Sequence, residues 1–183
     1  MFFKYVDFFL HRIALKSIDT LNHCIRVSKL SMKIGHSFDL SQKDMKDLLI
    51  ASLLHDIGKI GIPQEILNKP NSLTKNEYEI IKTHCEIGME YLSEVNIFND
   101  ISHIILYHHE RYDGQGYPYG LIGNHIPFLS RIIAVADSFD AMISPRVYKK
   151  QISIPQALNE IFKNRGTQFD TTIADQFIKI IKP

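Results

Sequence analysis

Cysteine is scarce in this sequence: it occurs twice, as Cys24 and Cys85. Two thiols cannot supply the cross-linked framework of a small secreted protein. Both read as small core residues of a reducing compartment, and a cytoplasmic protein is expected. Net charge is scarce too. At +1, the chain has no overall field to recruit long nucleic acid or an anionic membrane surface, although a local cluster of cations can still hold a small anion. No apolar run approaches the roughly 18 residues of a spanning helix, so no membrane span is expected. The opening stretch MFFKYVDFFLHRIALKS is interrupted by Lys4, Asp7, His11 and Arg12. It lacks the continuous apolar region and small-residue cleavage site of a signal peptide. Low-complexity tracts, internal repeats and flexible interdomain linkers are lacking, and alternating strand patterns are few.

Helical periodicity is abundant. With 183 residues, 45% of them hydrophobic, the chain can bury one sizeable core. Phe2, Phe3, Val6, Phe9, Leu10 and Ile13 repeat with a helical period. Residues 1–17 are therefore expected to form an N-terminal helix that packs on the rest, or on a second copy as a homodimer. Residues 18–183 form the main domain. Val27, Leu30 and Ile34 share a helix face with His23. Ser41 with Asp44 caps a helix running through Leu53, which Gly58 is expected to end. Thr74 with Glu77 is a capping box opening a helix with Ile80, Ile81, Ile87 and Tyr91 on its apolar face. Another helix runs from Asp100 to the double histidine His108-His109. Four glycines between residues 111 and 125 mark a loop, and Pro127 suits the first turn of the helix RIIAVADSFDAMIS. Two short helices, about 155–164 and 171–181, complete the pattern. The expectation is an all-α, compact multi-helix bundle of roughly seven to nine helices.

Several polar residues interrupt the apolar faces. Asp137 lies in the run IIAVAD with Ile133, Ala134 and Ala141. A buried lone carboxylate costs several kcal/mol or takes up a proton, so it must be ion-paired, solvated or coordinated. The same demand arises at His23, at His55-Asp56, at His84 over Ile80 and Ile81, and at His108-His109 after Ile104 and Ile105. Each histidine alone fits a hydrogen-bonded core residue. Five histidines and two aspartates facing inward are hard to satisfy without a common partner, which a metal cluster in the core supplies. Imidazole with carboxylate suits first-row transition ions. Adjacent residues on a helix point about 100° apart, so His55-Asp56 and His108-His109 favour two ions over one. No thiol belongs to this set, which argues against a structural Cys-rich zinc site.

The ordered stretches HDIGKIGIP, KPNSLT, His84, HHERYDGQGYP, GLIGNHIP and RIIAVADSFDA closely resemble the HD-GYP domain, an all-helical group of HD phosphohydrolases. The likeness runs from Asp19 to Arg146 and more loosely to the end. It implies hydrolysis of cyclic di-GMP to linear pGpG and on to GMP, with two or three divalent metals, iron or manganese. The alternatives are a non-hydrolytic cyclic-dinucleotide receptor and an HD phosphohydrolase on a different nucleotide. The implied ligands are His23, His55, Asp56, His84, His108, His109 and Asp137, with Asp56 bridging two metals. Lys59 matches the lysine beside the scissile phosphate. Gly116-Tyr117-Pro118 matches the GYP signature, with Tyr117 near a guanine base and Gly116 allowing close approach of ligand. Arg146 and Lys149 stand where the family places cations for the substrate, and Asp140 at a further polar position by the site.

Departures from the pattern are specific. Asp19 replaces a glutamate that helps hold a third metal, leaving three readings: ligand, partner of His23, or helix cap. Tyr112 replaces the usual tryptophan. Pro145 and Val147 differ from the common neighbours of Arg146. The chain is expected to lack the sensory domain that precedes most members, so control is expected from a regulatory protein partner.

Overall fold

The computed structural model describes residues 2–144 and 151–181. Arg146 and Lys149, both expected to meet the substrate, lie outside the described residues, as do Pro145 and Val147. The described residues form ten α-helices and three short 3₁₀ turns. The bridges Asp113–Ile122 and Arg165–Phe169 are isolated and build no sheet. The helix count exceeds the expectation for two local reasons, the short helix α4 (Gln64–Leu67) and a break at Thr83.

Helix α1 (Phe2–Lys16) buries Val6, Phe9 and Ile13 in the same core as the rest of the chain. Ser17 caps α2 (Ile18–Ser37) by accepting a hydrogen bond from Thr20 N–H at 3.1 Å. That assigns the capping role to Ser17 and removes it from Asp19, which is exposed in the first turn. Along α2 the spacing of His23, Val27 and Ile34 turns all three inward. Helix α3 (Gln42–Leu54) starts at Ser41 as expected, with Asp44 N–H donating to Ser41 Oγ.

Helix α3 stops at Leu54, earlier than Gly58 suggested, and a 3₁₀ turn Ile57–Gly61 follows. Gly58 serves another purpose. A Cβ there would lie 1.8 Å from the His84 carbonyl oxygen and 2.6 Å from Gly88 N. Only a residue without a side chain lets this turn pack so closely on the helix carrying His84.

The capping box of Thr74 and Glu77 opens α5 (Lys75–Lys82), but α5 does not continue into the next helix. Thr83 Oγ1 donates to the Ile80 carbonyl at 2.8 Å, a local bond that competes with the helical ladder. After this break, α6 (His84–Ser93) sets off with His84 buried, while Ile80 is left on the surface. Helix α7 (Asn99–Leu106) also ends early, so His108 and His109 occupy the turn beyond it. Helix α8 (Phe128–Ile143) begins after Pro127, and its Ser130 Oγ donates to the Ile104 carbonyl at 2.7 Å, tying α8 to α7. Helices α9 (Ile154–Lys163) and α10 (Thr171–Ile181) close the other side. Among the described residues no helix is long and apolar enough to cross a membrane.

Candidate metal centre

The inward ends of α2, α3, α6, α7 and α8 meet at one buried cluster. His55 caps the C-terminus of α3 and Asp56 follows it, so the two side chains diverge by virtue of a helix end, not of a continuing helix. The ring of His55 donates from Nδ1 to the Ser52 carbonyl at 2.8 Å. His84 does the same to the Ile81 carbonyl at 2.6 Å, and His108 to the Ile105 carbonyl at 2.5 Å. A carbonyl oxygen only accepts, so each Nδ1 carries the proton and each neutral ring keeps its lone pair on Nε2.

Those lone pairs point at one another. His84 Nε2 stands 3.4 Å from His108 Nε2, and His55 Nε2 is buried with no hydrogen-bond partner. Burial holds His55 and His108 below the usual imidazole range and brings His84 to about 4 and His109 to about 3, so protons do not fill the gaps. Opposed acceptors in a dry interior need a cation between them. The donor set therefore fits metal ions, and the outer Nδ1–carbonyl bonds are the supports that metal-binding imidazoles require.

Two half-sites result. His23, His55 and Asp137 offer donor atoms within 4.8 Å of one another, and so do His84, His108 and His109. Asp56 lies between them, with Oδ2 3.5 Å from His55 Nε2 and Oδ1 3.5 Å from His84 Nε2. Burial disfavours its charged form, but the Lys59 ammonium beside it holds its carboxyl well below the usual range. Lys59 Nζ donates to Asp56 Oδ2 at 2.7 Å from a partly exposed position.

His23 differs from the other imidazoles. Its Nδ1 meets Asp140 Oδ2 at 2.7 Å and its Nε2 meets Asp137 Oδ1 at 2.9 Å. Burial would lower its pKa, but the hydrogen bonds to Asp137 and Asp140 carry it up to about 9. A proton then sits on Nε2, where an arriving cation would displace it. Asp140 is buried and also receives Arg26 Nε at 2.7 Å and Ser144 Oγ at 3.1 Å. Asp140, expected at a further polar position by the site, thus has oxygens that face His23, Arg26 and Ser144.

The loop of residues 111–125 lies beside the second half-site. Gly114 has φ of +78°, as expected of a glycine turn, whereas Gly116 has no positive φ. A Cβ on Gly116 would fall 2.2 Å from Arg111 N, so Gly116 admits the protein's own backbone. The ring of Tyr117 leans on His109 with centroids 4.8 Å apart. Sequence reasoning missed Glu110. This buried carboxylate accepts backbone N–H bonds from Tyr119 at 2.8 Å, Gly120 at 3.1 Å and Leu121 at 3.1 Å. Its place in the run HHE was the available signal. Also missed was the position of the thiols: Cys24 lies within 4.8 Å of the His55 and Asp56 donors, and Cys85 Sγ is 3.6 Å from His84 Nε2. Asp19 belongs to none of the donor groups among the described residues.

An all-helical bundle with seven inward His and Asp side chains defines a protein whose core could hold a metal cluster. The chain belongs to the HD domain family, which matches residues 10–173, and its motifs place it in the HD-GYP group. It is 43% identical over 169 residues to a cyclic di-GMP phosphodiesterase of Thermotoga maritima, covering 91% of this chain and 46% of that protein. The fold resembles an HDGYP protein from Bdellovibrio bacteriovorus, with TM-score 0.74 and 21% identity over 92% of this chain and 53% of that one. It also resembles a cyclic GMP-AMP specific phosphodiesterase of Vibrio cholerae, with TM-score 0.68 and 26% identity over 87% of this chain and 43% of that one. The chain thus spans about half the length of each of these three proteins.

Proposed function

We propose that this chain is a metal-dependent phosphodiesterase that opens cyclic di-GMP to linear pGpG, with cleavage on to GMP as a second step. The observation that carries the reading is the facing pair His84 Nε2 and His108 Nε2 at 3.4 Å, beside His55 Nε2, which has no hydrogen-bond partner. The name of the Thermotoga relative supplies the substrate class. His23, His55 and Asp137 would hold one ion, His84, His108 and His109 the other, with Asp56 between; iron or manganese suits these donors. Asp19 would join only as an outer ligand of a third. When bound, two such ions activate water and neutralise phosphate oxygens.

The chain's own residues do the rest. Asp140 and Arg26 hold the His23 ring from behind. Lys59, anchored on Asp56 at 2.7 Å, supplies a positive charge at the rim for a phosphate oxygen or the departing alkoxide. Tyr117 closes the His109 side and offers a ring edge and hydroxyl to a base. Arg146 and Lys149 are proposed as cations for the flanking phosphate.

The test is elemental analysis of anaerobically purified protein together with turnover on the same sample. About two Fe or Mn per chain with conversion to pGpG is the expected result. His84→Ala should lose metal and turnover together. Arg146→Ala should keep the metal and raise KM by about tenfold, the loss of one good contact. Equal loss of substrate affinity in both variants would remove these roles. The Vibrio neighbour, and a Vibrio cholerae relative named a 3'3'-cGAMP-specific phosphodiesterase, favour one second reading, 3'3'-cGAMP as substrate. Faster hydrolysis of 3'3'-cGAMP than of cyclic di-GMP, in a panel at equal concentration, would select it.

A further inference from the structure

We propose that Lys82 reads a base of the bound cyclic dinucleotide and selects guanine over adenine. Lys82 ends α5, a helix on which no residue is buried. Core packing therefore does not account for where its ammonium lies. Nζ stands 4.9 Å from the centroid of the Tyr78 ring and 5.6 Å from that of Tyr117. Tyr78 is one turn back on the same helix. Tyr117 comes from the loop after α7 and leans on His109, with centroids 4.8 Å apart, and His109 belongs to the second half-site. Side-chain contacts thus run from Tyr78 at the surface through Lys82 and Tyr117 to the metal centre.

Both rings lie within the roughly 6 Å over which an aromatic face attracts a cation. Held between them, the flexible lysine stem gives up part of its freedom before a ligand arrives. Lys82 also donates to Glu79 Oε1 at 2.7 Å. That pair does not compete strongly with a ligand: the Glu79 side chain is 66% exposed, and an exposed pair contributes little and exchanges readily for another acceptor.

An ammonium only donates. Guanine presents two acceptors, O6 and N7, on one edge, where adenine presents one acceptor and an amino donor. A nucleotide with its phosphate at the metal centre and its base along the edge of Tyr117 brings that edge to Lys82. Guanine gains a charge-assisted bond at O6, whereas the adenine amino group opposes the ammonium. One such base suffices, so cyclic di-GMP and 3'3'-cGAMP both qualify and cyclic di-AMP does not. The inference rests on the phosphodiesterase reading above and adds the residue that sets its base preference.

The experiment compares kcat/KM of the Mn²⁺-loaded full chain for cyclic di-GMP, 3'3'-cGAMP and cyclic di-AMP, ranking a compound that is not turned over by its Ki as a competitor. Wild type should prefer the better guanine-containing substrate to cyclic di-AMP by about tenfold or more. Lys82→Met keeps the stem without the charge. It should shrink that ratio by about tenfold, through KM, with kcat and bound metal retained. Lys82→Arg keeps the charge and should keep most of the ratio. A wild type indifferent to the base would overturn the proposal, and that measurement needs no variant to fold. So would a Lys82→Met that slows all three substrates equally or loses its metal, or a Lys82→Arg ratio as low as that of Lys82→Met. A metal-loaded wild type that cleaves none of the three would overturn the phosphodiesterase reading and this one with it; an absent base preference alone overturns only this one.

Discussion

Three imidazoles in the core are aimed by one repeated device, an Nδ1–H bond to the carbonyl three residues earlier: His55 to Ser52, His84 to Ile81 and His108 to Ile105. Each bond selects the tautomer and leaves Nε2 for a cation. His23 uses a carboxylate instead, and Asp140 is that carboxylate. Asp140→Asn keeps the shape but removes the charge that balances Arg26 and polarises His23. Metal affinity, measured by competition with a chelator, is expected to fall about 10–100-fold; unchanged affinity would remove Asp140 from this role. The inward direction of His23 and Asp137 was legible because both stand at helical spacing from apolar residues. The partner of Asp140 was not, since Arg26 and His23 lie 114 and 117 positions away in the chain.

Breaks in the helices shape the site as much as the helices do. A continuous helix through Thr83 would carry His84 along the face of Ile80, which is exposed; the break lets His84 turn into the core. Periodicity alone reads through such a break, because residues on both sides keep the helical spacing. The loop after His109 is held by Glu110, whose carboxylate gathers three consecutive backbone N–H groups. Glu110→Gln replaces charge-assisted bonds by weaker ones and turns an amide donor toward other donors, at a cost of about 1.5–3 kcal/mol. Amide exchange should quicken across residues 117–121 and KM should rise while bound metal is retained. Loss of metal in this variant would mean that the loop holds His109 in place, beyond closing over it.

The fold as a whole places its most costly groups at its centre. Asp56 and the rings of His55, His84 and His108 are almost wholly buried, amid the apolar core that α1 helps to cover. Without a cation this concentration of acceptors opposes folding, and an ion that binds only the folded chain stabilises it. Removing metal with a chelator should therefore lower Tm, and restoring Mn²⁺ at about 100 times its Kd should return about 2.7 kcal/mol. At roughly 2–4 °C per kcal/mol for a chain of this size, the shift is readily seen in a thermal melt. A Tm indifferent to metal would argue that the cluster is preorganised without strain.

Composition and periodicity by themselves determined the helical class, most of the capping positions and the residues that had to find a polar partner inside. These are local quantities: an apolar stripe, a serine or threonine before it, a histidine out of place within it. Tertiary structure alone decided which acceptors confront each other, that Gly58 and Gly116 make room for neighbouring backbone, that Asp140 stands behind His23, and that Cys24 lies beside the His55 and Asp56 donors. Each of those depends on distances between segments far apart in the chain, and local spacing carries no information about them until the core has packed.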